Sequence, residues 1–544
     1  MLAPTLAVVL SWAVAGFLLL GCGFACRQTL ARALGLGNGA QWRPPDLWIG
    51  FAALVAYLEV WNLLAPISWK ALIAPTVVGV TADVMCLSRA RPRLTRTTVI
   101  GRRMFGAVVA SALGFLWLAN QALGRPTNWD SGLYHFQAVE YATRFAAIRG
   151  LGNLQERLGA GDAHLLVVAL LGNGPWHDAG FHLANGLLVA MLLAHISWLL
   201  ADQTTPEFTR RVAWLLVPAT LITVAIEPGS RLSSPSLDLP GFVLVAAGTL
   251  CLCEHVERSD SATAIGATAA YAAAAATRPQ FLPATILVGM TVVLLSRRPA
   301  RTTALVGVIP LAVSLAWTAR QAVLSGYPLL PLKIGALPVD WRLHADVVDT
   351  VNAWIRSWAR SPHKPPSAVL SSWDWFPGWL RRRTSDADVM GPFALALFGV
   401  LQQRSPQTRR LLMATLPPLL LTLIIWFFAA PAPRFVYGPL WLVPIALLAR
   451  GPLDKVVALL CVGLVATAVV IGGSWRPITR HGDGPLGSFN PPLPAVRTIR
   501  TTSGLIVKQP VHDDRCWRVP LCAPAASRQL RLRGADIASG FRVP

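Results

Sequence analysis

PTLAVVLSWAVAGFLLLGCGFAC, residues 4–26, runs for 23 positions without one charged side chain. As an α-helix it is roughly 35 Å long, enough to cross the ~30 Å hydrocarbon core of a bilayer. Comparable apolar runs follow at 47–64, 71–87, 104–123, 180–200, 212–227, 240–256, 261–277, 279–296, 302–323, 389–401, 411–430, 435–449 and 456–473. Read as spans, they predict about fourteen crossings and an all-α, polytopic transmembrane helical bundle. The stretch 163–172 is too short to cross and reads as an interfacial helix. Composition agrees: of 544 residues 54% are apolar and only 14% charged, which excludes an ordinary soluble domain. The formal charge of +22 is not read as a nucleic-acid signal, because the arginines sit mainly between apolar runs.

Those arginines set the expected orientation. Loop 88–103 carries Arg89, Arg91, Arg93, Arg96, Arg102 and Arg103, and short loops rich in Lys and Arg stay in the cytoplasm. Alternation from there also places Arg27/Arg32/Arg43, Arg210/Arg211, Arg297/Arg298/Arg301, Arg404/Arg409/Arg410 and Arg450/Lys455 inside. Both termini, loops 124–179 and 324–388, and the tail from Trp475 are then extracytoplasmic, as in a bacterial inner-membrane protein. The expected organisation is N-terminal helices over 1–103, a membrane core over 104–473 and an external tail over 474–544. Leu19-Leu20-Gly21-Cys22 faintly resembles a lipoprotein cleavage box, but no Lys or Arg precedes Arg27, so an uncleaved first span is expected. Cys22, Cys26, Cys86, Cys251, Cys253 and Cys461 lie in apolar runs and read as packing residues. Cys516 and Cys522 lie in the polar tail, where a disulfide on the oxidising side is a reasonable expectation. The tail itself reads either as a small β-rich cap or as a loose extension.

Chemistry, on this topology, belongs to the external face. Loop 124–179 contains Asn128-Trp129-Asp130-Ser131-Gly132-Leu133-Tyr134-His135. Asp130 precedes a helix-compatible stretch, so it reads either as an N-cap or as a general base tuned by His135 and Arg144. Helical spacing aligns Tyr134, Gln137 and Tyr141, and pairs Glu140 with Arg144 at i,i+4.

An acidic residue in a large external loop, followed by an aromatic-bearing helix, resembles the GT-C class of membrane glycosyltransferases. That class takes sugar from a polyprenyl-phosphate donor, and the resemblance implies that Asp130 deprotonates the acceptor hydroxyl. GT-C enzymes usually place the acidic loop after their first span; here four runs precede it, so 104–123 corresponds to the first core span. A second resemblance covers more of the chain. WDSGLYHFQAVEYA (129–142), GLGNLQERLG (150–159), SSPSLDLP (233–240), ARQAVLSGYPLLP (319–331), VDWR (339–342), WIRSWARSP (354–362), APAPRF (430–435) and DRCW (514–517) resemble an uncharacterised bacterial family of multi-spanning membrane proteins, leptospiral in type. That family implies membership and no reaction.

Arg278, Arg320 and Arg434 stand at span ends beside proline-containing turns. Each taken alone reads as snorkelling to the interface. Together they suit the phosphate of a lipid-linked donor. Trp354, Trp358 and Trp375, among the aromatics of 324–388, read as an interfacial belt or, with Tyr134, as a platform for the acceptor sugar. His177-Asp178 with His182 lacks the spacing of a metal site, so no metal is expected. No nucleotide, dinucleotide or serine-hydrolase motif occurs. The expectation is therefore a glycosyltransferase with a lipid-linked sugar as co-substrate, no cofactor and no nucleic-acid partner. Its partners would be membrane lipid and a glycan, lipid or protein acceptor. Glu59 and Asp83 within early runs motivate the alternative of a flippase or transporter, and a non-catalytic envelope-assembly protein is the third reading.

Overall fold

The computed structural model describes residues 2–35, 41–89, 102–401, 408–451, 463–470 and 482–544, with the backbone alone over 102–111. Most of the basic loop 88–103, and Arg404, Lys455, Cys461, residues 456–462 and 471–473 of the last run, and the tail through 481 lie outside the described residues. The molecule is mostly helical, 70% helix against 3% strand. In chain order the helices are α1 (Leu2–Ala33), α2 (Pro45–Leu64), α3 (Ile73–Arg89), α4 (Arg102–Ala122), α5 (Phe136–Arg144), α6 (Ala163–Leu171), α7 (Phe181–Ala201), α8 (Glu207–Ile226), α9 (Pro228–Arg231) and α10 (Asp238–Arg258). There follow α11 (Ser261–Thr277), α12 (Leu282–Leu294), α13 (Pro299–Ser325), α14 (Ala345–Arg360), α15 (Pro366–Val369), α16 (Trp375–Thr384), α17 (Ala387–Leu401), α18 (Arg409–Ala429) and α19 (Tyr437–Leu448).

Among the described residues eight helices are long and apolar enough to cross a membrane: α1, α2, α3 with its preceding turn, α7, α8, α10, α13 and α18. Counting α16 and α17, bent by 81° at their junction, as one broken span gives nine. Of the other described runs, 104–123 forms the 21-residue α4, and three take shorter forms. Residues 261–277 make a 17-residue helix, while Pro279–Leu294 and Pro433–Leu448 are short apolar helices. Such pieces are tolerated at membrane depth when neighbouring helices shield their ends. The stretch expected to lie at the interface is instead α6, buried at every residue from Ala163 to Leu170.

α10 and α11 form the centre, the apolar window of α10 being 100% buried. The Ala-rich sequence of α11, SATAIGATAAYAAAAAT, admits close neighbours, and Thr249 and Tyr271 hydroxyls join α10 to α11 at 2.8 Å. Small residues do the same for α1 and α2. A Cβ on Gly23 would stand 1.7 Å from the Asp46 carbonyl oxygen, and one on Gly50 would stand 1.9 Å from that of Leu19. Only glycine permits this backbone approach. Trp12 donates to the Leu183 carbonyl at 2.9 Å and Trp48 bonds His195 Nδ1 at 3.0 Å, so the first helices share one core with α7.

The tail is a small β-rich cap. β1 (Val496–Arg500) and β2 (Ile506–Pro510) pair antiparallel, Val496 opposite Pro510, and β3 (Arg531–Leu532) pairs with β4 (Phe541–Arg542). A disulfide joins Cys516 to Cys522. Phe541, Leu530 and Val507 of the cap bury against Leu151, Leu154 and Leu158, so this end of the bundle is covered.

Candidate functional site

The segment after α4 is pinned before it reaches Asp130. Thr127 N–H donates to the Gly229 carbonyl at 3.1 Å, and the Asn128 amide donates to Ser230 Oγ at 3.1 Å. Residues 131–135 then form one π-helical turn that runs into α5. Its capping side chain is Asn128, whose Oδ1 accepts from Ser131 N–H at 3.2 Å. Asp130 makes no capping bond, which leaves its carboxylate available to side chains.

That carboxylate meets two arginines. Arg434 Nη1 stands 2.9 Å from Asp130 Oδ2, and Arg157 Nη1 stands 4.0 Å from Oδ1. Burial alone acts to raise the Asp130 pKa, but Arg434, with Arg157 and Arg278 beyond it, holds the carboxyl below the usual carboxylate range. A second pair lies alongside: Arg278, directly after α11, binds Asp238 in the first turn of α10. The two guanidinium groups share one aromatic neighbour, with Arg278 Cζ 4.9 Å and Arg434 Cζ 5.2 Å from the Phe435 ring centre. Gln280 donates its amide to the Phe435 carbonyl. Pro279 and Pro433 open the short 3-10 turns that follow Arg278 and carry Arg434, and Pro431 lies just past the end of α18.

His135 does not touch Asp130. Its Nδ1 shares a hydrogen bond with Ser131 Oγ at 3.0 Å and its ring meets Tyr134 edge-on at 4.3 Å. Burial pushes its pKa down to about 3, against the opposing pull of Asp130, so the imidazole is neutral. Arg144 pairs with Glu140 instead of tuning Asp130.

Arg320 takes a different partner set. From α13 its Nε donates to Asn62 Oδ1 at 2.9 Å, and its Nη1 lies 3.7 Å from Glu59 Oε2. Asn62 in turn donates to the Phe145 carbonyl at 3.2 Å, so this end of α2 packs under the Asp130 loop. Arg320 and Asn62 line a narrow cleft together with Tyr134, Tyr141, Arg157 and Asp162. Asp162 was not among the residues singled out from sequence. Its only signal there is an aspartate immediately before an apolar run, where a helix cap is the ordinary reading. Burial, with the nearby charge of Asp130, raises its carboxyl to about 7 despite the opposing pull of Arg278 and Arg320. Arg157 was missed too, since nothing in GLGNLQERLG distinguishes it.

The tryptophans stand apart. Trp354 and Trp358 on α14 are 45% and 47% exposed, and Trp358 packs on His363 at 4.5 Å. Trp375 is buried in an aromatic cluster with Trp379 and Trp426, beneath the Arg360 guanidinium at 5.0 Å. That cluster meets the charged rim at Phe435. The structure therefore brings together Asp130, Tyr134, His135, Arg278 and Arg434, sets Arg320 one cleft away, and leaves Trp354 and Trp358 at the surface. His182 bonds the carbonyls of Ala122 and Phe489, at 2.5 and 3.0 Å. Among the described residues no His, Cys, Asp and Glu group has the arrangement of a metal site.

The cap closes over the loop. Trp129 Nε1 donates to Asp514 Oδ1 at 2.9 Å, Trp517 N–H to the Gly132 carbonyl at 2.7 Å, and Gln137 to the carbonyls of Val519 and Cys522 at 3.0 and 2.9 Å. Arg515 lies 4.2 Å over the Trp129 ring. Glu140 receives Arg518 at 3.2 Å.

The chain belongs to the family of the domain of unknown function DUF8201, which matches residues 6–441. The match spans the helical core and every residue of the charged rim, and stops before the cap. No curated protein matches the chain.

Proposed function

We propose that this protein is an integral membrane glycosyltransferase of GT-C-like design. It moves a sugar from a polyprenyl-phosphate donor to an envelope acceptor on the extracytoplasmic face of a bacterial inner membrane. The observation that carries the reading is the double pair Asp130–Arg434 and Asp238–Arg278 around Phe435. In the resting site each guanidinium is neutralised by a carboxylate, which limits the cost of holding charge at a membrane boundary. A donor phosphodiester is an anion that gains a second charge as the sugar departs. Guanidinium groups that exchange a carboxylate for this phosphate bind the leaving state more strongly than the donor, which is the condition for catalysis. Asp130, already ionised, is the base that takes the proton of the acceptor hydroxyl. Neutral His135 and the Tyr134 phenol border the reacting centre without adding charge. The basic short loops support placing this rim outside, with the lipid-linked sugar as co-substrate and no further cofactor.

The test is deletion of the gene followed by complementation. Loss of one sugar from an envelope glycan is expected, with accumulation of its polyprenyl-phosphate form at the outer leaflet, where periodate added to whole cells destroys it. Wild type restores the glycan and Asp130→Asn at equal abundance does not. Unchanged glycans overturn the reading, and donor trapped at the inner leaflet favours a flippase.

A further inference from the structure

We infer that the outer face of Trp129 is a carbohydrate-docking site, where a glycan acceptor is held beside Asp130. That the docked glycan is the acceptor rests on the transferase reading; the docking itself does not. Trp129 is 50% exposed although Asn128 before it and Ser131 after Asp130 are buried. Leaving so large a ring in water forgoes the burial that normally stabilises it, and here the ring is held so that it cannot fold away. Its Nε1 donates to Asp514 Oδ1 at 2.9 Å, and the Arg515 guanidinium covers one face at 4.2 Å. Arg515 is fixed in turn. It lies 5.4 Å over the buried Trp517 ring, and Asp513 Oδ2 accepts from its Nε at 2.8 Å and its Nη2 at 2.6 Å. Gly132 leaves room for the stack, since a Cβ there would stand 2.9 Å from both Arg515 Cδ and Trp517 Cε2. The exposed half of the indole is therefore the face turned away from Arg515.

The surroundings select the occupant. A protein partner needs an apolar surface wider than one ring, and a membrane anchor belongs among aliphatic side chains at headgroup level. Trp129 instead touches Asp514 and Arg515 of the external cap and adjoins Asp130 in the chain. Carboxylates on two sides of the indole oppose an anionic headgroup. A pyranose ring has a flat C–H face and an edge of hydroxyls. The indole meets the first by burial and dispersion, while the carboxylate of Asp514 and the guanidinium of Arg515 can accept from and donate to the second. All three side chains are already held in place, so docking orders few groups that were free before. Consecutive Cα atoms lie about 3.8 Å apart, so a glycan stacked on Trp129 has a hydroxyl within about two sugar units of Asp130.

The experiment uses the full wild-type chain in detergent and, as probe, oligosaccharides released by mild acid from envelopes of the deletion strain. Tryptophan oxidation by N-bromosuccinimide is followed residue by residue by peptide mass mapping, with no donor present. The oligosaccharides are expected to slow oxidation of Trp129 several-fold and to leave Trp354 and Trp358 at their own rates. With the same sugars end-labelled, fluorescence anisotropy should show Trp129→Ala binding at least roughly tenfold more weakly than wild type. Trp129→Phe, which keeps a ring face and loses the Nε1 donor, should lose less. The tail of Trp129→Ala should resist trypsin as wild type does, because Gln137, Trp517 and Arg518 hold the cap through other bonds. Unprotected Trp129, or equal binding by Trp129→Ala, overturns the inference. Protection by a phospholipid nanodisc without sugar also overturns it and assigns the face to lipid. Protection by sugar in a protein whose deletion changes no envelope glycan upholds the docking site and overturns the transferase reading.

Discussion

Two arginine–carboxylate pairs in this molecule have the same chemistry and opposite completeness. Between α1 and α2, Arg27 grips Asp46 through Nε at 2.6 Å and Nη2 at 2.9 Å, while Arg43 N–H adds a third bond at 2.9 Å. Both side chains are closed off, 1% and 0% exposed. At the rim, Arg434 meets Asp130 through one 2.9 Å contact with exposures of 34% and 16%, and the second arginine is only loosely engaged. A fully bonded buried pair is a fixed clamp whose partners cannot leave cheaply. A singly bonded pair at an opening can exchange its partner for a ligand. The comparison separates structural charge from available charge, which composition cannot do.

Substitution can break that contrast. The largest effect is expected at the clamp: Asp46→Ala strands a buried guanidinium and should cost about 3–5 kcal/mol, seen as loss of folded protein in detergent. Asp130→Asn should leave thermal stability within about 1 kcal/mol of wild type, while transfer falls by roughly 10²–10³-fold. Equal destabilisation by both would mean that the rim pair is a clamp as well. Arg434→Lys sharpens the point, because a point charge cannot present the planar fork; farnesyl phosphate should bind roughly tenfold more weakly, without loss of fold.

Smaller effects are expected at the cap. Cys516→Ser with Cys522→Ser opens a short loop and should destabilise the cap by roughly 2 kcal/mol, read as faster proteolysis of the tail while the helical core stays intact. The smallest effect has the opposite sign. Because burial raises the Asp162 pKa to about 7, folding disfavours its charged form. Its unfavourable contribution therefore grows as pH climbs from the unfolded-state value toward 7 and persists above it. Asp162→Asn should raise the unfolding midpoint by the equivalent of roughly 1–2 kcal/mol at pH 8 and by little at pH 4, measured by thermal unfolding at both.

Much of the fold was legible in the chain. Apolar length announced helices because a bilayer admits few other spanning elements, and α1, α2, α7, α8, α10, α13 and α18 all begin and end near the expected runs. Length alone leaves the number of spans open, because 279–296 and 435–449 are as apolar as full crossings but form short helices that pack on α10 and α18. For α6 apolarity was visible, but burial beneath the loop was not. Of the rim, Asp130, Arg278 and Arg434 stood out because charge next to apolar runs is rare. Asp162 did not, since an aspartate before a helix is ordinary until its carboxylate proves to be uncommitted.

What the sequence determined by itself is the helical, membrane-compatible character of the chain and the concentration of polar material in long loops, since both follow from apolar length and from where charge is tolerated. Tertiary structure alone decided which charges meet. Asp130 and Arg434 are 304 positions apart in the chain and Arg320 turned to Asn62 and Glu59 instead of joining them. No local propensity encodes such distances; they follow from how tightly glycine and alanine let the helices approach, and from which helix ends that packing gathers at one rim.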